Sequence, residues 1–376
     1  MKVLFSIFKN RFKRKSQSSI SDLQSSNSLR ILVVRRDNIG DLICTTPLLH
    51  GLRQSYPNAT IAVLASSYNA AVLEGNPDVD EVFIFLKRHQ KTHGYGFLSM
   101  LWNRWQLVRT IRRRHFDAII LANGGWRYAR HLGGKKLIGF REQHQPESAQ
   151  PDVIVPLENE GREDHEVSKM ACLGMALGVM DAVGPVTLFP DEMRVQKERQ
   201  RLQDLGWDEA PQKPTIALHM STRRFTQRWP KESFVALAQA LIQQGAQLLL
   251  FWSPGKENDP MHPGDDDKAA YVLEQLRGLP AFPCPTKNLQ ELVASVALAD
   301  QMICSDGGGM HVAAALKKPI LCFFGTSFLK EWHPWKVPYI ALQPNSRRVV
   351  DISVEEALEG FERLVGVQIP SFGGRI

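Results

Sequence analysis

From position 30 onward the chain alternates short, unbroken apolar runs with longer stretches in which apolar residues return every three or four positions. Ile31-Leu32-Val33-Val34 is the first such run. A strand with no polar face is buried on both sides, as in a parallel sheet covered by helices. Similar runs predict strands at 60–64, 82–85, 117–121 and 136–140, with helices between them, among these 41–54 and 98–115. Leu42, Leu48, Leu49 and Leu52 supply the apolar side of the first helix. Pro47 interrupts them, and proline is tolerated only in a first turn. No helical run clearly separates the strands at 117–121 and 136–140, which leaves the order at that edge open.

A second series begins after Gly184-Pro185. A helix is predicted at 192–205, and Pro211 and Pro214 then mark a boundary. Strands follow at 215–219, 247–252, 301–304 and 320–324, and helices near 231–244, 268–277, 288–298, 309–316 and 353–365. This alternation predicts an α/β protein with two Rossmann-like, doubly wound parallel sheets. The boundaries read as a tail and linker at 1–29, domains at 30–185 and 186–350, and a final helix and tail at 351–376. The two domains are expected to face each other across a cleft. Ligands of such sheets bind beyond the C-terminal strand ends.

Composition changes this picture mainly at the N-terminus. At 376 residues, 43% hydrophobic and 23% charged, the chain has the makeup of a soluble globular protein. Its net charge of +7 is unevenly spread. Lys2, Lys9, Arg11, Lys13, Arg14, Lys15 and Arg30 stand against Asp22 alone in the first 30 residues, which leaves the rest of the chain at only +1. The basicity belongs to the tail, which argues against nucleic acid as a partner. Leu4, Phe8 and Phe12, with Val3 and Ile7 beside them, share one helical face next to these cations. Such a segment can lie on an anionic membrane surface. A frayed, solvated N-terminus is the plain alternative. Seven serines within 16–28 read as a flexible linker. The five cysteines, 44, 172, 284, 304 and 322, form no C-x-x-C pair, and several sit inside apolar runs. They argue for a reducing, cytoplasmic compartment and against a disulfide framework or structural zinc.

The most telling chemistry is Asp306-Gly307-Gly308-Gly309-Met310-His311, between the strand at 301–304 and a helix. Three glycines before a helix N-terminus let backbone N–H groups approach an anion, and the helix dipole favours negative charge there. This reads as a cradle for the diphosphate of a nucleotide-linked donor, with a tight strand-to-helix turn as the alternative. His311 at the helix start can donate to an oxygen. His333 reads equally well as a packed loop residue.

Other loops at strand ends add to this. Arg35-Arg36-Asp37-Asn38-Ile39-Gly40-Asp41 follows the first strand and is not the G-x-G-x-x-G of dinucleotide cofactors. Asp41 can be a helix N-cap, or a general base kept ionised by the helix dipole. His219-Met220-Ser221-Thr222-Arg223-Arg224, with Arg228, supplies hydroxyls and guanidinium groups that suit phosphate oxygens. Glu257, beyond the strand at 247–252, is a candidate for ribose hydroxyls. Asp265-Asp266-Asp267 reads as a solvated loop rather than a metal site, because consecutive carboxylates rarely converge on one ion. The runs Lys87-Arg88-His89-Gln90-Lys91 and Arg112-Arg113-Arg114 can steer a phosphorylated lipid or glycan, or simply face solvent. No metal-ligand spacing and no Ser-His-Asp order is present.

Together these residues resemble a family. The pattern R-x-D-x-I-G-D-x-x-x-T-T-P-L-L at 35–49, D-x-G-x-x-H-x-A-A-A-L-x-x-P at 306–319 and F-G-T-S at 324–327 is similar to glycosyltransferase family 9, the ADP-heptose:lipopolysaccharide heptosyltransferases. The likeness runs from about residue 30 to the end, without the basic tail. It implies a GT-B fold, with acceptor on the N-terminal domain and ADP-sugar on the C-terminal one. The acceptor would be a phosphorylated lipid A–core glycan, and the transfer inverting and metal-independent, with no cofactor. By position, Asp41 matches the proposed catalytic base. Ser221, Thr222 and Arg228 fall where the family binds diphosphate, Asp306 at a donor-sugar contact, Gly308, Gly309 and His311 at the phosphate-facing helix start, and Glu257 loosely at a ribose contact. Gly307 stands where Thr or Ser is usual, and His219-Met220-Ser221 lacks the Pro-Gly of many members. Both departures leave another donor sugar or acceptor open. A GT-B transferase using a different nucleotide sugar and a non-catalytic nucleotide- or glycan-binding homologue are the rival readings. A nicotinamide oxidoreductase is weaker, for want of the glycine fingerprint.

Overall fold

The computed structural model describes residues 29–86, 97–142, 146, 150–156, 164–180, 182–209, 212–257, 259 and 264–366. The basic tail, the serine linker at 16–28, the cationic run at 87–91 and the last ten residues lie outside them. The chain divides into two compact units between Gly184 and Pro185.

The first unit is a six-stranded, wholly parallel sheet in the order β3-β2-β1-β4-β5-β6. Its strands are β1 (Arg30–Val34), β2 (Thr60–Ser66), β3 (Glu81–Phe85), β4 (Ala118–Leu121), β5 (Lys136–Phe140) and β6 (Val153–Val155). Central strand β1 loses its four apolar side chains wholly to the interior. Burying each contributes about 1.5–3 kcal/mol, so the run could not remain a surface segment. The helices are α1 (Ile39–Ile43), α2 (Thr46–Ser55), α3 (Phe97–Arg113), α4 (Trp126–Arg130) and α5 (Glu166–Met175). The single helix expected at 41–54 is therefore two. Pro47 sits in the first turn of α2, where its missing N–H costs nothing, and the chain turns at Cys44-Thr45. The five-residue α4 supplies the link between β4 and β5 that the sequence left open.

The second unit repeats the plan in the order β12-β11-β10-β7-β8-β9, again all parallel. Its strands are β7 (Thr215–His219), β8 (Gln247–Trp252), β9 (Ala281–Pro285), β10 (Gln301–Ser305), β11 (Ile320–Phe323) and β12 (Tyr339–Leu342). The helices are α6 (Glu192–Asp204), α7 (Lys231–Gln243), α8 (Asp266–Gln275), α9 (Leu289–Ala297), α10 (Gly308–Ala315), α11 (Leu329–Trp332) and α12 (Val354–Gly366). Numbered within its own unit, each sheet has the order 3-2-1-4-5-6 of dinucleotide-binding folds. Each therefore reverses direction beside its first strand, and ligands bind at that reversal.

The last helix belongs to this second core. Ser353 and Glu356 form a capping box at its start, each side chain bonded to the other's backbone N–H at 3.1 and 2.8 Å. Ala357, Phe361 and Leu364 then bury one face of α12. Trp229 is the pin of the unit. Its ring centroid lies 5.1 Å from that of Phe234 and 5.0 Å from that of Phe323. Its Nε1 donates to Ile352 O at 2.9 Å. Among the described residues no helix is long and apolar enough to cross a membrane.

Candidate active site

In the first unit the chain leaves β1 and turns the Arg35 side chain inward, where it is only 2% exposed. Its Nη2 donates to Asp41 Oδ1 and to Glu166 Oε1, both at 2.8 Å. Its Nη1 donates to Ala122 O at 2.5 Å. Nε lies 3.0 Å from Asp37 Oδ1, a close ion pair not aligned as a hydrogen bond. Three carboxylates thus share one buried guanidinium. Burial works against the Arg35 charge, but Asp37, Glu166 and Asp41 outweigh it and lift its pKa above the usual arginine value. Asp37 is pushed up to about 6 by burial, against the pull of Arg35 and with a further push from Asp41.

The loop is held from below by Asn69, which is fully buried. Its amide donates to Arg35 O and Asn38 O, each at 3.3 Å, while its Oδ1 accepts from Ser66 N at 2.8 Å. Asp41 is the third residue of α1, and the N-cap position belongs to Asn38. Its carboxylate is therefore no cap. A five-residue helix carries little dipole, and the cation that faces Asp41 is Arg35. Thr45 and Thr46 turn their hydroxyls back onto Asp41 O and Ile43 O at 2.8 and 2.7 Å, which fixes the junction of α1 and α2. Of the basic run at the end of α3, Arg114 is paired with Glu81 at 2.7 Å.

The second unit gathers a different set. Gln227, 2% exposed, sits at its centre. Its Nε2 donates to Asp306 Oδ2 at 2.7 Å and to Ser327 Oγ at 2.5 Å, and its Oε1 accepts from Thr222 Oγ1 at 3.2 Å. Its own carbonyl accepts from Ser305 Oγ at 2.8 Å. One amide therefore joins the loops after β7, β10 and β11. Trp229, two residues on, anchors that amide in the core.

Ser221 Oγ accepts from Ser253 N at 2.8 Å, tying the loop after β7 to the loop after β8. Arg228 and Glu257, expected on phosphate and ribose respectively, are brought together as an ion pair at 2.8 Å, with Glu257 67% exposed. Of the aspartates at 265–267, Asp266 and Asp267 are exposed, as expected, but in the first turn of α8 rather than in a loop. Asp265 is 5% exposed and pairs with Lys268 at 2.6 Å. Asp266 accepts from Trp252 Nε1 at 2.8 Å and Gly255 N at 2.9 Å, which shapes the turn that carries Glu257.

The glycines divide by role. Gly308 opens α10, an eight-residue helix whose first amides have no partner within the helix. A Cβ placed on Gly307 would meet nothing within 4 Å, so space lies open above it. A Cβ on Gly309 would lie 3.3 Å from the His219 ring and 3.4 Å from Met302 Cε. Gly309 thus lets the helix settle on the sheet. His311 is buried, with its ring edge-on to Trp332 at 6.0 Å. His333 stacks on Tyr339 at 5.3 Å, as a packed loop residue does. His219 lies half-buried beneath the helix start, and its loss of hydration there lowers its pKa to about 4.

Arg35 stood in the quoted motif without a role, and Glu166, Asn69 and Gln227 were not found from the sequence at all. Among the described residues no group of three or more His, Cys, Asp or Glu side chains is arranged to hold a metal ion. One edge can accept a proton, and the other can receive an anion.

Known proteins place this arrangement. The model of glycosyltransferase family 9 (heptosyltransferase) matches residues 104–358, more than half of the chain. Lipopolysaccharide heptosyltransferase 3 of Escherichia coli K12 is 25% identical over 357 residues, covering 88% of this chain and 97% of its own. A solved family 9 glycosyl transferase from Veillonella parvula superposes with a TM-score of 0.75 at 21% identity, over 90% of this chain and 97% of that one. Escherichia coli heptosyltransferase WaaC with ADP gives a TM-score of 0.71 at 16% identity, over 89% and 100%. Two Rossmann-like units of identical strand order are the GT-B fold of these structures. With a family model spanning more than half its length, the chain belongs to glycosyltransferase family 9, the heptosyltransferase family, and is a glycosyltransferase.

Proposed function

We propose that the chain transfers heptose from ADP-heptose to a hydroxyl of a lipopolysaccharide core oligosaccharide, with inversion at the anomeric carbon. Asp41 takes the proton of the attacking hydroxyl. The new bond forms between that oxygen and the anomeric carbon as the bond from this carbon to the diphosphate oxygen breaks, and ADP leaves. The observation that carries the reading is Asp41 held 2.8 Å from the buried Arg35 at the ligand-binding edge of the first sheet. A general base of this kind contributes about 10²–10⁴-fold.

The growing charge on ADP is met by Arg228, Ser221, Thr222 and the amides of Gly307, Gly308 and Gly309, with His311 beneath them and Asp306 on the sugar. The Arg228 ion pair with Glu257 opens in this reading, so that Glu257 takes the ribose and Arg228 the diphosphate. The reading is metal-independent. A lipopolysaccharide heptosyltransferase as relative and a neighbour solved with ADP support it. The basic, amphipathic pattern of residues 1–15 suits a peripheral enzyme at the cytoplasmic face of the inner membrane, where a lipid-anchored acceptor would be met.

The test is incubation of the protein with ADP-heptose and a truncated lipopolysaccharide, read by mass spectrometry of the glycan. A gain of one heptose is expected. Transfer only from a UDP- or GDP-linked sugar would replace the donor assignment. Gly307 and the His219-Met220-Ser221 loop make such a donor panel worthwhile.

A further inference from the structure

The sheet edge of the first unit carries two more guanidinium groups, which the transfer chemistry leaves unused. Arg36 follows Arg35 but turns the other way. Its guanidinium lies over the rings of Phe85 and Tyr128, 4.8 and 4.6 Å from their centroids. Arg104 reaches the same Phe85 ring from α3, at 5.0 Å. Phe85 and Tyr128 meet edge to face at 5.6 Å. Phe85 ends β3, Arg36 follows β1 and Tyr128 lies in α4 after β4, so the group stands where such sheets bind ligands.

The cluster is short of negative charge. Among the described residues neither Arg36 nor Arg104 has a carboxylate at ion-pair distance, and Asp37, the acid that acts on Arg36, is drawn to Arg35. Glu142 is spent on the backbone N–H of Gly125 at 3.1 Å. Arg36 Nε, Arg104 Nε and Tyr128 Oη are all shielded from solvent without a hydrogen-bond partner. Buried donors left unpaired are destabilising, and two like charges on one ring repel. Burial and the nearby Arg104 both lower the Arg36 pKa. Stacking on Phe85 and Tyr128 offsets part of this.

An oxyanion would satisfy both guanidinium groups and the phenol at once. Donors from three separate segments suit a tetrahedral group with several free oxygens better than a planar carboxylate. We propose that Arg36, Arg104 and Tyr128 form a subsite for a phosphoryl group on the acceptor glycan. This rests on the first unit being the acceptor-binding one. The subsite would select acceptors already phosphorylated, so a phosphoryl-transfer reaction must act on the glycan before this chain does.

Two measurements test the subsite. Crystals soaked in tungstate, which mimics phosphate, are expected to show an anomalous peak within hydrogen-bond reach of Arg36 and Arg104. That peak should be lost in Arg104→Gln. Its absence from the unsubstituted protein, or its survival in the variant, would overturn the proposal whether or not the chain transfers heptose. For transfer, kcat/KM is compared between a phosphorylated acceptor and the same acceptor treated with phosphatase. A preference of at least about tenfold is expected, the worth of one charge-assisted contact. It should fall toward one in Arg104→Gln and in Tyr128→Phe, which removes only a hydroxyl and keeps the ring. No preference, or one that survives both substitutions, would count against the subsite. No transfer to either acceptor, with the tungstate peak present, would instead remove the heptosyltransferase reading.

Discussion

The two sheets share one strand order, yet their ligand-binding edges are finished in opposite ways. The edge of the first unit is ionic. Arg35 is buried among Asp37, Asp41 and Glu166, and it is this cation that holds the Asp41 carboxylate. The edge of the second unit is organised around a neutral group, the Gln227 amide, which ties Thr222, Asp306 and Ser327 together. A carboxylate that is to accept a proton must stay ionised and held still, which a fixed cation secures. A receptor for a departing anion should not hold a fixed excess of negative charge, so hydroxyls, amides and the opening of a helix serve it better. On the proposed reading, the same architecture carries two chemistries through its loops.

The largest effect that bears on this contrast is in Asp41→Asn. Transfer should fall roughly 10²–10⁴-fold while ADP binding, followed by calorimetry, stays near wild type. A matched loss of ADP affinity would erase the division of labour between the two edges. Next is Arg35→Met, which leaves buried carboxylates without their cation. It should cost about 3–5 kcal/mol, read in denaturant melts as an earlier transition of the first unit only. Both units shifting together would mean that they unfold as one.

Acid separates the two edges in a third way. His219 in the second unit titrates at about 4 when folded, against 6.5 in its reference state. The unfolded chain therefore binds more protons in that window. The second unit keeps its full stability above pH 6.5 and loses about 3 kcal/mol as the pH falls to 4. Asp37 in the first unit runs oppositely. Its pKa of about 6, against 3.8, means that stability present below pH 3.8 is lost as pH rises through 6. Acidification from pH 7 should weaken the second unit and spare the first, measured by hydrogen exchange of peptides from each. His219→Gln should flatten the second unit's response.

Smaller is Arg228→Gln, expected to weaken ADP binding by roughly tenfold, the worth of one charge-assisted bond, with little change in the pH profile. Least is Asp37→Asn. An acid limb of the rate set by the raised Asp37 falls near pH 6, and it should disappear in that variant because an amide does not titrate. An unmoved limb would assign it to another member of the Arg35 cluster.

What could be read from the sequence follows from where each residue ended up. The interior strands were legible, because β1, β4, β7, β8, β10 and β11 are buried on both faces and appear as unbroken apolar runs. The three strands that escaped all lie at sheet edges. These are β6, only three residues long, β12, which stays half-exposed, and β9, whose sequence AFPCP carries two prolines that only an edge position tolerates. Helix α5 was missed because it is buried almost all round and shows no polar face. Asp41 and the glycine run could be found because their neighbours in sequence mark a strand end. Glu166 could not, since it meets Arg35 across 131 residues. Gln227 gave no signal either, as a neutral side chain whose worth comes entirely from the three loops it joins.

All five cysteines are buried, Cys44 and Cys172 in the first unit and Cys284, Cys304 and Cys322 in the second. A thiol reagent can reach them only when the surrounding sheet or helix lets go. The protein therefore carries a built-in pair of opening clocks, one in each half. Mass spectrometry of alkylated peptides would show which half breathes first, and whether ADP slows the second clock while leaving the first untouched.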